Sequence, residues 1–177
     1  MVSRRPFVLL PIVGLAIASA AIAFGQITDR NELAVLFSGQ EAFNSLIEQA
    51  PETTVGTLAV LLVCKGVAWS LSMGSFRGGP TFPALFLGAV LGLMAARLPG
   101  LSETPAVVIL IAAMAVSILR LPLSAVLLAL VLTANAGVTT VPLAITSTVA
   151  AYITTLSLSA LLENRRNPTP QPPAASA

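Results

Sequence analysis

Apolar residues occur in six long runs along the chain, separated by short polar or proline-containing segments. The runs are Phe7–Gly25, Val55–Met73, Phe82–Leu98, Pro105–Leu119, Pro122–Thr133 and Val138–Leu162. A helix needs about 20 predominantly apolar residues to cross a bilayer. The first, second and last runs reach about that length, and the other three are shorter. The pattern predicts an all-α, polytopic membrane protein that combines full spans with partial ones.

Prolines cut or bound the three shorter runs, at Pro80, Pro83, Pro99, Pro105 and Pro122. Short apolar segments interrupted by proline and glycine indicate tilted and broken helices that end inside the membrane. Helix ends are tolerated at that depth only where they line a polar cavity or are buried in protein. The pattern therefore favours a channel or transporter over a passive anchor.

The charged residues separate into one acidic segment and several basic sites. The polar segment Gln26–Thr54 carries Asp29, Glu32, Glu41, Glu48 and Glu52. Basic residues collect at Arg4, Arg5, Arg120, Arg165 and Arg166. The positive-inside rule places these basic residues, and both termini, in the cytoplasm and the acidic segment outside. We expect residues 1–166 to form the membrane domain, with a short interfacial helix in the acidic segment, and residues 167–177 to form a disordered Pro/Ala-rich cytoplasmic tail.

The composition excludes most catalytic and binding chemistry. Hydrophobic residues make up 56% of the 177 residues and charged residues 9%, whereas soluble domains are about 25% charged. The chain has no histidine, one aspartate and one cysteine, Cys64. We therefore expect no enzyme, no metal site, no cofactor and no disulfide. A net charge of +2, spread along the chain, argues against nucleic-acid binding.

The stretch Ser72–Gly88, SMGSFRGGPTFPALFLG, is the most informative part of the sequence. Its glycines allow tight turns and close approach of another group, and its prolines suit the first turn of a helix. A helix that begins here would present free N–H groups and a positive dipole end, an arrangement that binds anions. A simple Gly/Pro hinge between two spans explains the same residues. Lys65 is likewise open to two interpretations, a functional site or pairing with groups at a helix end.

Four stretches resemble the CLC chloride channels and transporters. GGPTFPALFLGAVLG resembles the family pattern GGxFxPxLxxGxxxG, whose main-chain amides hold a chloride, and LLVCKGVAWSLSMGS resembles the helix before it. ILRLPLSAVLLALVLTAN resembles the family's basic residue, Pro-Leu-Thr/Ser and aliphatic helix. VPLAITSTVAAYITT and SALLENRR are similar to its last two helices. The resemblance implies that the chain corresponds to the C-terminal half of the CLC fold, helices K to R.

The resemblance also implies partners. The family's N-terminal half supplies a serine turn and a Gly-Arg/Lys-Glu-Gly-Pro turn with the gating glutamate, and neither motif occurs in this sequence. We therefore expect a missing N-terminal half, and a chain that is a fragment or one part of a split protein. Family members are homodimers in a membrane, here of the bacterial plasma-membrane type. The dimer contact would use small residues of the last two long runs, Ser124, Ala125, Ala129, Ala144, Ala150 and Ala151.

By this resemblance, chloride or a similar anion is held by Gly78, Gly79, Thr81 and Phe82. Pro80 departs from the family pattern and removes one expected amide, whereas Thr81 offers both an amide and a hydroxyl. The family's pore tyrosine aligns with Leu158. Chloride transport is the predicted function. The alternatives are an accessory or structural membrane subunit, a non-functional fragment without transport of its own, and a transporter of another substrate.

Overall fold

The computed structural model of the chain describes residues 6–28, 33–36, 40–75 and 79–166. These residues form eight α-helices and no strand. The helices are α1 (Pro6–Thr28), α2 (Leu33–Leu36), α3 (Gln40–Glu48), α4 (Val55–Ser75), α5 (Thr81–Ala95), α6 (Glu103–Leu119), α7 (Pro122–Leu132) and α8 (Val141–Arg166). Arg4, Arg5, Gly78 and the predicted tail 167–177 lie outside the described residues.

Helix lengths confirm the predicted mixture of full and partial spans. Among the described residues, three helices, α1, α4 and α8, are long and apolar enough to cross a membrane. The apolar helices α5, α6 and α7 are shorter. With 15 residues, α5 is only about 22 Å long at about 1.5 Å per residue. That is less than the hydrocarbon core of about 30 Å, so α5 by itself is too short to cross a membrane.

The core of the molecule is the pair α5 and α6, which make the most extensive helix contact. Two glycines of α5 allow this contact. A Cβ at Gly88 would lie 2.8 Å from the carbonyl oxygen of Leu110, and one at Gly92 would lie 2.5 Å from the Cα of Val107. Since only a glycine leaves room for these backbone atoms, this GxxxG motif serves helix packing.

Two polar clusters mark the opposite ends of the helices. Past the end of α5, Arg97 donates hydrogen bonds to the carbonyl oxygens of Ala50 and Thr53 and forms an ion pair of 3.5 Å with Glu103. At the other end, Arg120 donates to Ser159 with an Nη2–Oγ distance of 3.4 Å. The C-terminal end of α5 therefore lies beside the acidic segment, and Arg120 lies on the same side as the basic end of α8.

The last segment differs from the resemblance. The stretches that resemble the family's last two helices form the single continuous helix α8. No proline or glycine occurs between Thr155 and Arg166 to interrupt it. Leu158, which aligns with the family's pore tyrosine, therefore lies within α8 and is exposed.

The predicted dimer face was partly wrong. Ala125, Ala129 and Ala144 are 0% exposed, so they pack inside the chain and are not accessible to a partner. Ser124 and Ala150 are exposed, and Ala151 is half-buried. Small residues permit close helix approach, and here α7 and α8 use three of theirs for contacts within one molecule.

Candidate functional site: the start of helix α5

The first turn of α5 has two backbone donors without a hydrogen-bond partner among the described residues. Pro80 is the N-cap residue, and the first helical hydrogen bond runs from the N–H of Ala84 to the carbonyl of Pro80, at 3.3 Å. The earlier N–H groups of an α-helix have no intrahelical partner. Pro80 and Pro83 have no N–H at all. The donors left for a ligand in this turn are therefore the neighbouring amides of Thr81 and Phe82.

The residues that carry these donors are partly exposed. Phe82 is 38% exposed, Gly79 is exposed, and Thr81 is half-buried. Three of the four predicted anion-binding residues are thus together at one helix start. The fourth, Gly78, lies outside the described residues. In a membrane, a helix start must face a polar cavity or another part of a protein.

Packing further along α5 fixes the position of this turn. Residues 84 to 90 are all buried, as are Gly92 and Leu93. The C-terminal end is tied to the acidic segment through Arg97. Because α5 is shorter than the membrane core, a C-terminal end at the membrane boundary leaves Thr81 and Phe82 at membrane depth. A dipole end in such a low-dielectric setting acts on an anion more strongly than it would in water.

Lys65 lies in the middle of α4 and is only 2% exposed. Its ammonium donates to the carbonyl oxygen of Val35, in the short helix α2, at 3.3 Å. It also lies 4.9 Å from the centroid of the Phe86 ring, a cation–π distance. Of the two interpretations of Lys65, pairing with a carbonyl near a helix end is therefore observed. Phe86 follows Thr81 by little more than one turn, so this positive charge lies close to the start of α5.

A cavity at the end of the molecule opposite the start of α5 is lined by acidic side chains, which do not suit an anion. It has a volume of about 390 Å³ and is lined by residues of α3, α5, α6 and α7, among them Glu48 and Glu103. Neither Glu48 nor Glu103, which is ion-paired with Arg97, offers a hydrogen-bond donor to a chloride. The start of α5 therefore remains the anion-site candidate.

The described part of the chain contains no cluster of side chains suited to binding a metal ion. No group of three or more Cys, Asp or Glu side chains is placed there to hold a metal ion. Cys64 is a free thiol and half-buried. The first turn of α5 offers amide and hydroxyl donors, which suit an anion.

Sequence reasoning missed two residues that the structure emphasises. Arg97 joins the end of α5 to Ala50, which is 47 positions away in the sequence. Trp69 has an indole N–H that is buried without a hydrogen-bond partner among the described residues. One signal was available: Lys65 and Trp69 are four residues apart and thus on one face of α4.

Comparison with known proteins identifies the family. The model of the family Voltage gated chloride channel matches residues 1–155. A search of curated proteins and a search of solved structures both found no significant match. The family match covers both the glycine-proline motif and the helices that position it. The chain is therefore an integral membrane protein that belongs to the voltage gated chloride channel (CLC) family, whose members are anion channels and exchangers.

Proposed function

We propose that this chain supplies one side of a chloride pathway, in which the start of α5 holds the anion. The observation that supports this proposal most directly is that the adjacent N–H groups of Thr81 and Phe82 have no hydrogen-bond partner in the described part of the chain. Gly78 and Gly79 allow the backbone to approach an ion closely, and the Thr81 hydroxyl adds a donor.

Neutral donors suit transport. Amide and hydroxyl dipoles replace part of the water around a chloride without forming a full ion pair. Conduction requires binding that is favourable enough for entry and weak enough for release. With Lys65 paired to a carbonyl and lying near Phe86 rather than in the first turn, its charge adds a favourable field at a distance.

The exposure of the donors supports an incomplete site. A chloride at Thr81 would have donors on one side only, because Phe82 and Gly79 face the outside of the chain. Leaving an ion uncompensated on its other side in an apolar medium costs many kcal/mol. We infer that the N-terminal half of a CLC domain covers this surface and completes the coordination, either as a separate chain or as part of a longer protein.

The proposed setting is a membrane in which both termini are cytoplasmic. The clusters around Arg97 and Arg120 occupy opposite ends of the helices. Placing Arg120 and Arg165 in the cytoplasm agrees with the positive-inside rule. A bacterial-type plasma membrane and a homodimer complete the proposal. Apolar stripes on α7 and α8 support a dimer contact, and they comprise Leu123, Leu127, Val131, Ile145, Val149 and Ile153.

Chloride efflux from liposomes tests the proposed function. The chain is reconstituted alone and together with the N-terminal half of a CLC domain. We expect no chloride-selective efflux from the chain alone, since half of the donors are missing, and selective efflux from the pair. Robust selective efflux from the chain alone would contradict the half-pathway proposal.

The same assay separates the alternatives. If Thr81→Pro leaves the chloride efflux of the reconstituted pair unchanged, the result favours an accessory subunit, because the anion pathway then does not use α5. Efflux of another solute in preference to chloride would favour a different substrate. Thr104→Pro is the matched control, since Thr104 occupies the first turn of α6 beside Pro105 and lines the cavity that contains Glu48.

A further inference from the structure

The cavity between α3, α5, α6 and the end of α7 has an apolar floor and a polar rim. Its volume of about 390 Å³ lies within the range of small-molecule sites, about 300–1,000 Å³. The lining residues that are buried are all apolar, and they are Phe43, Ala50, Leu93 and Val107. The polar lining residues Asn44, Glu48 and Thr104 are exposed. The cavity is therefore reached past polar groups and ends on an apolar surface.

The charged groups at this cavity leave one carboxylate without a counter-charge. Glu48 and Glu103 both line the cavity. Arg97 offsets Glu103 through the ion pair of 3.5 Å. Glu48 has no ion-pair partner in the described part of the chain. A cleft with apolar walls and charge of one sign concentrates ions of the opposite sign, so this cavity favours a ligand with a single positive charge.

The remaining polar groups of the rim are able to accept hydrogen bonds. The Asn44 side chain offers a carbonyl oxygen and the Thr104 side chain a hydroxyl oxygen. The Thr133 hydroxyl, which also lines the cavity, donates to the carbonyl oxygen of Ala129 at 2.7 Å. Its hydrogen is thereby used, and its oxygen is left to accept. A ligand that carries N–H donors suits this rim.

The apolar floor argues for an organic cation rather than a metal ion. Metal ions such as calcium require six or more oxygen ligands around them. In the described part of the chain, no group of three or more Cys, Asp or Glu side chains could hold a metal ion. Phe43, Leu93 and Val107 offer no ligand atom to a metal. They offer an apolar surface to a hydrocarbon or aromatic body.

We propose that this cavity binds a small monovalent organic cation with an apolar body, of the arylalkylamine class. The ammonium group lies at the rim and donates to the Glu48 carboxylate. The aromatic ring lies on the floor against Phe43, Leu93 and Val107. Neither Thr81 nor Phe82 lines this cavity, so the inference stands or falls independently of the transport proposal.

Protection of a single thiol at the rim tests the site, with phenethylammonium as the probe. Cys64 is the only cysteine, so Thr104→Cys in a Cys64→Ala background places one thiol at the cavity. The full chain in detergent micelles reacts with a water-soluble thiol reagent, and sodium chloride holds the ionic strength constant. We expect phenethylammonium to slow labelling at position 104 saturably. Arg165→Cys, at the exposed end of α8, is the control and should label at a constant rate.

Two further probes separate the charge from the apolar body. Phenethyl alcohol keeps the ring and has no charge, and phenylacetate has the opposite charge. We expect half-maximal protection by the alcohol to need at least about tenfold more compound, the scale of a hydrogen bond to a charged group. Phenylacetate should not protect. Equal protection by all three probes would mean an apolar pocket without charge selection, and no protection by phenethylammonium would mean no site. Either result overturns the proposal.

Matched variants test the two halves of the cavity. Glu48→Gln keeps the shape of the exposed side chain, and we expect protection by phenethylammonium to weaken about tenfold. Glu163→Gln, on the exposed end of α8, is its control and should change nothing. Undiminished protection in Glu48→Gln would contradict the role assigned to that carboxylate.

Ala136→Leu narrows the cavity from its half-buried lining. We expect protection to weaken several-fold, because the new side chain occupies the space of the ligand. Ala150→Leu, at an exposed position of α8, is its control. If Ala136→Leu fails to fold, Glu48→Gln and the three probes still decide the proposal. Absent protection with normal chloride efflux from the reconstituted pair removes this site only, whereas normal protection without efflux removes the transport proposal only.

Discussion

Helices α5 and α8 are both apolar, yet they have opposite relations to the rest of the chain. Nine of the 15 residues of α5 are buried. In α8, which has 26 residues, only Ala144 and Thr148 are buried. Glycines let the backbone of α5 touch that of α6, whereas α8 exposes large aliphatic side chains along most of its length.

We infer different roles for α5 and α8 from this difference in burial. A helix start binds an ion reproducibly only if its donors are held in place, and the packing of α5 on α6 provides that. Within a bilayer, an exposed aliphatic helix such as α8 contacts lipid or another protein without penalty. The packed pair therefore positions the proposed anion site, while the exposed faces of α7 and α8 are open to the proposed dimer contact.

The strongest test of this comparison breaks the contact between α5 and α6. We expect Gly92→Ala to destabilise the protein by about 3 kcal/mol or more, the upper end of overpacking costs, because the new methyl group meets the backbone at Val107. Gly66→Ala is the control, since nothing lies within 4 Å of a Cβ there. It should be neutral or stabilising by up to about 1 kcal/mol. Thermal unfolding in detergent measures both, and equal stability of the two variants would contradict a close α5–α6 contact.

The second test changes the anion site and leaves the packed part of α5 intact. With the N-terminal half present, Thr81→Pro removes an amide and a hydroxyl. We expect chloride binding to weaken at least about 100-fold, because the two lost hydrogen bonds to a charged group contribute about 1.5–3 kcal/mol each. Thr81→Ala keeps the amide and should weaken binding less, and Lys65→Arg should have a mild effect because it keeps the charge. Calorimetric chloride titration checks the order, and equal affinities in all three variants would argue against the amide site.

The third test concerns the exposed face of α7 and α8. Leu127 is 57% exposed, so Leu127→Trp and Val149→Trp should leave the fold intact. We expect each to weaken self-association several-fold, since a bulky ring disturbs helix packing between subunits. Leu15→Trp, on an exposed face of α1, is the control. Crosslinking in liposomes with the N-terminal half present measures association. Unchanged association in both variants would place the dimer contact elsewhere.

The last test leaves stability unchanged and asks only about orientation. In a Cys64→Ala background, Glu52→Cys and Arg165→Cys introduce exposed thiols near the two ends of the helices. A membrane-impermeant thiol reagent should label position 52 from outside the cell and position 165 only after permeabilisation. Labelling with the opposite sidedness would overturn the proposed topology.

Much of the fold follows from local sequence. The apolar runs predict the helices because a polar backbone must be internally hydrogen-bonded in lipid. The prolines at 80 and 83 predict the start of α5 because proline is favoured in the first turn of a helix. Gly88 and Gly92 predict a close helix contact for the same kind of local steric reason. The candidate anion site consists of a few neighbouring residues, so the sequence alone proposes Gly79, Thr81 and Phe82, and their role in anion binding stays a prediction.

The tertiary structure alone decided which faces are buried. In a soluble helix, polar residues mark the outer face, but in a membrane the lipid-facing side is as apolar as the core. Ala129 and Leu127 therefore look equivalent in the sequence, although one is fully buried and the other exposed. The contact of Lys65 with Val35 and the enclosure of Trp69 likewise depend on segments that meet only after folding. Hydrophobic periodicity does not predict such contacts, because lipid and the protein interior both favour apolar residues.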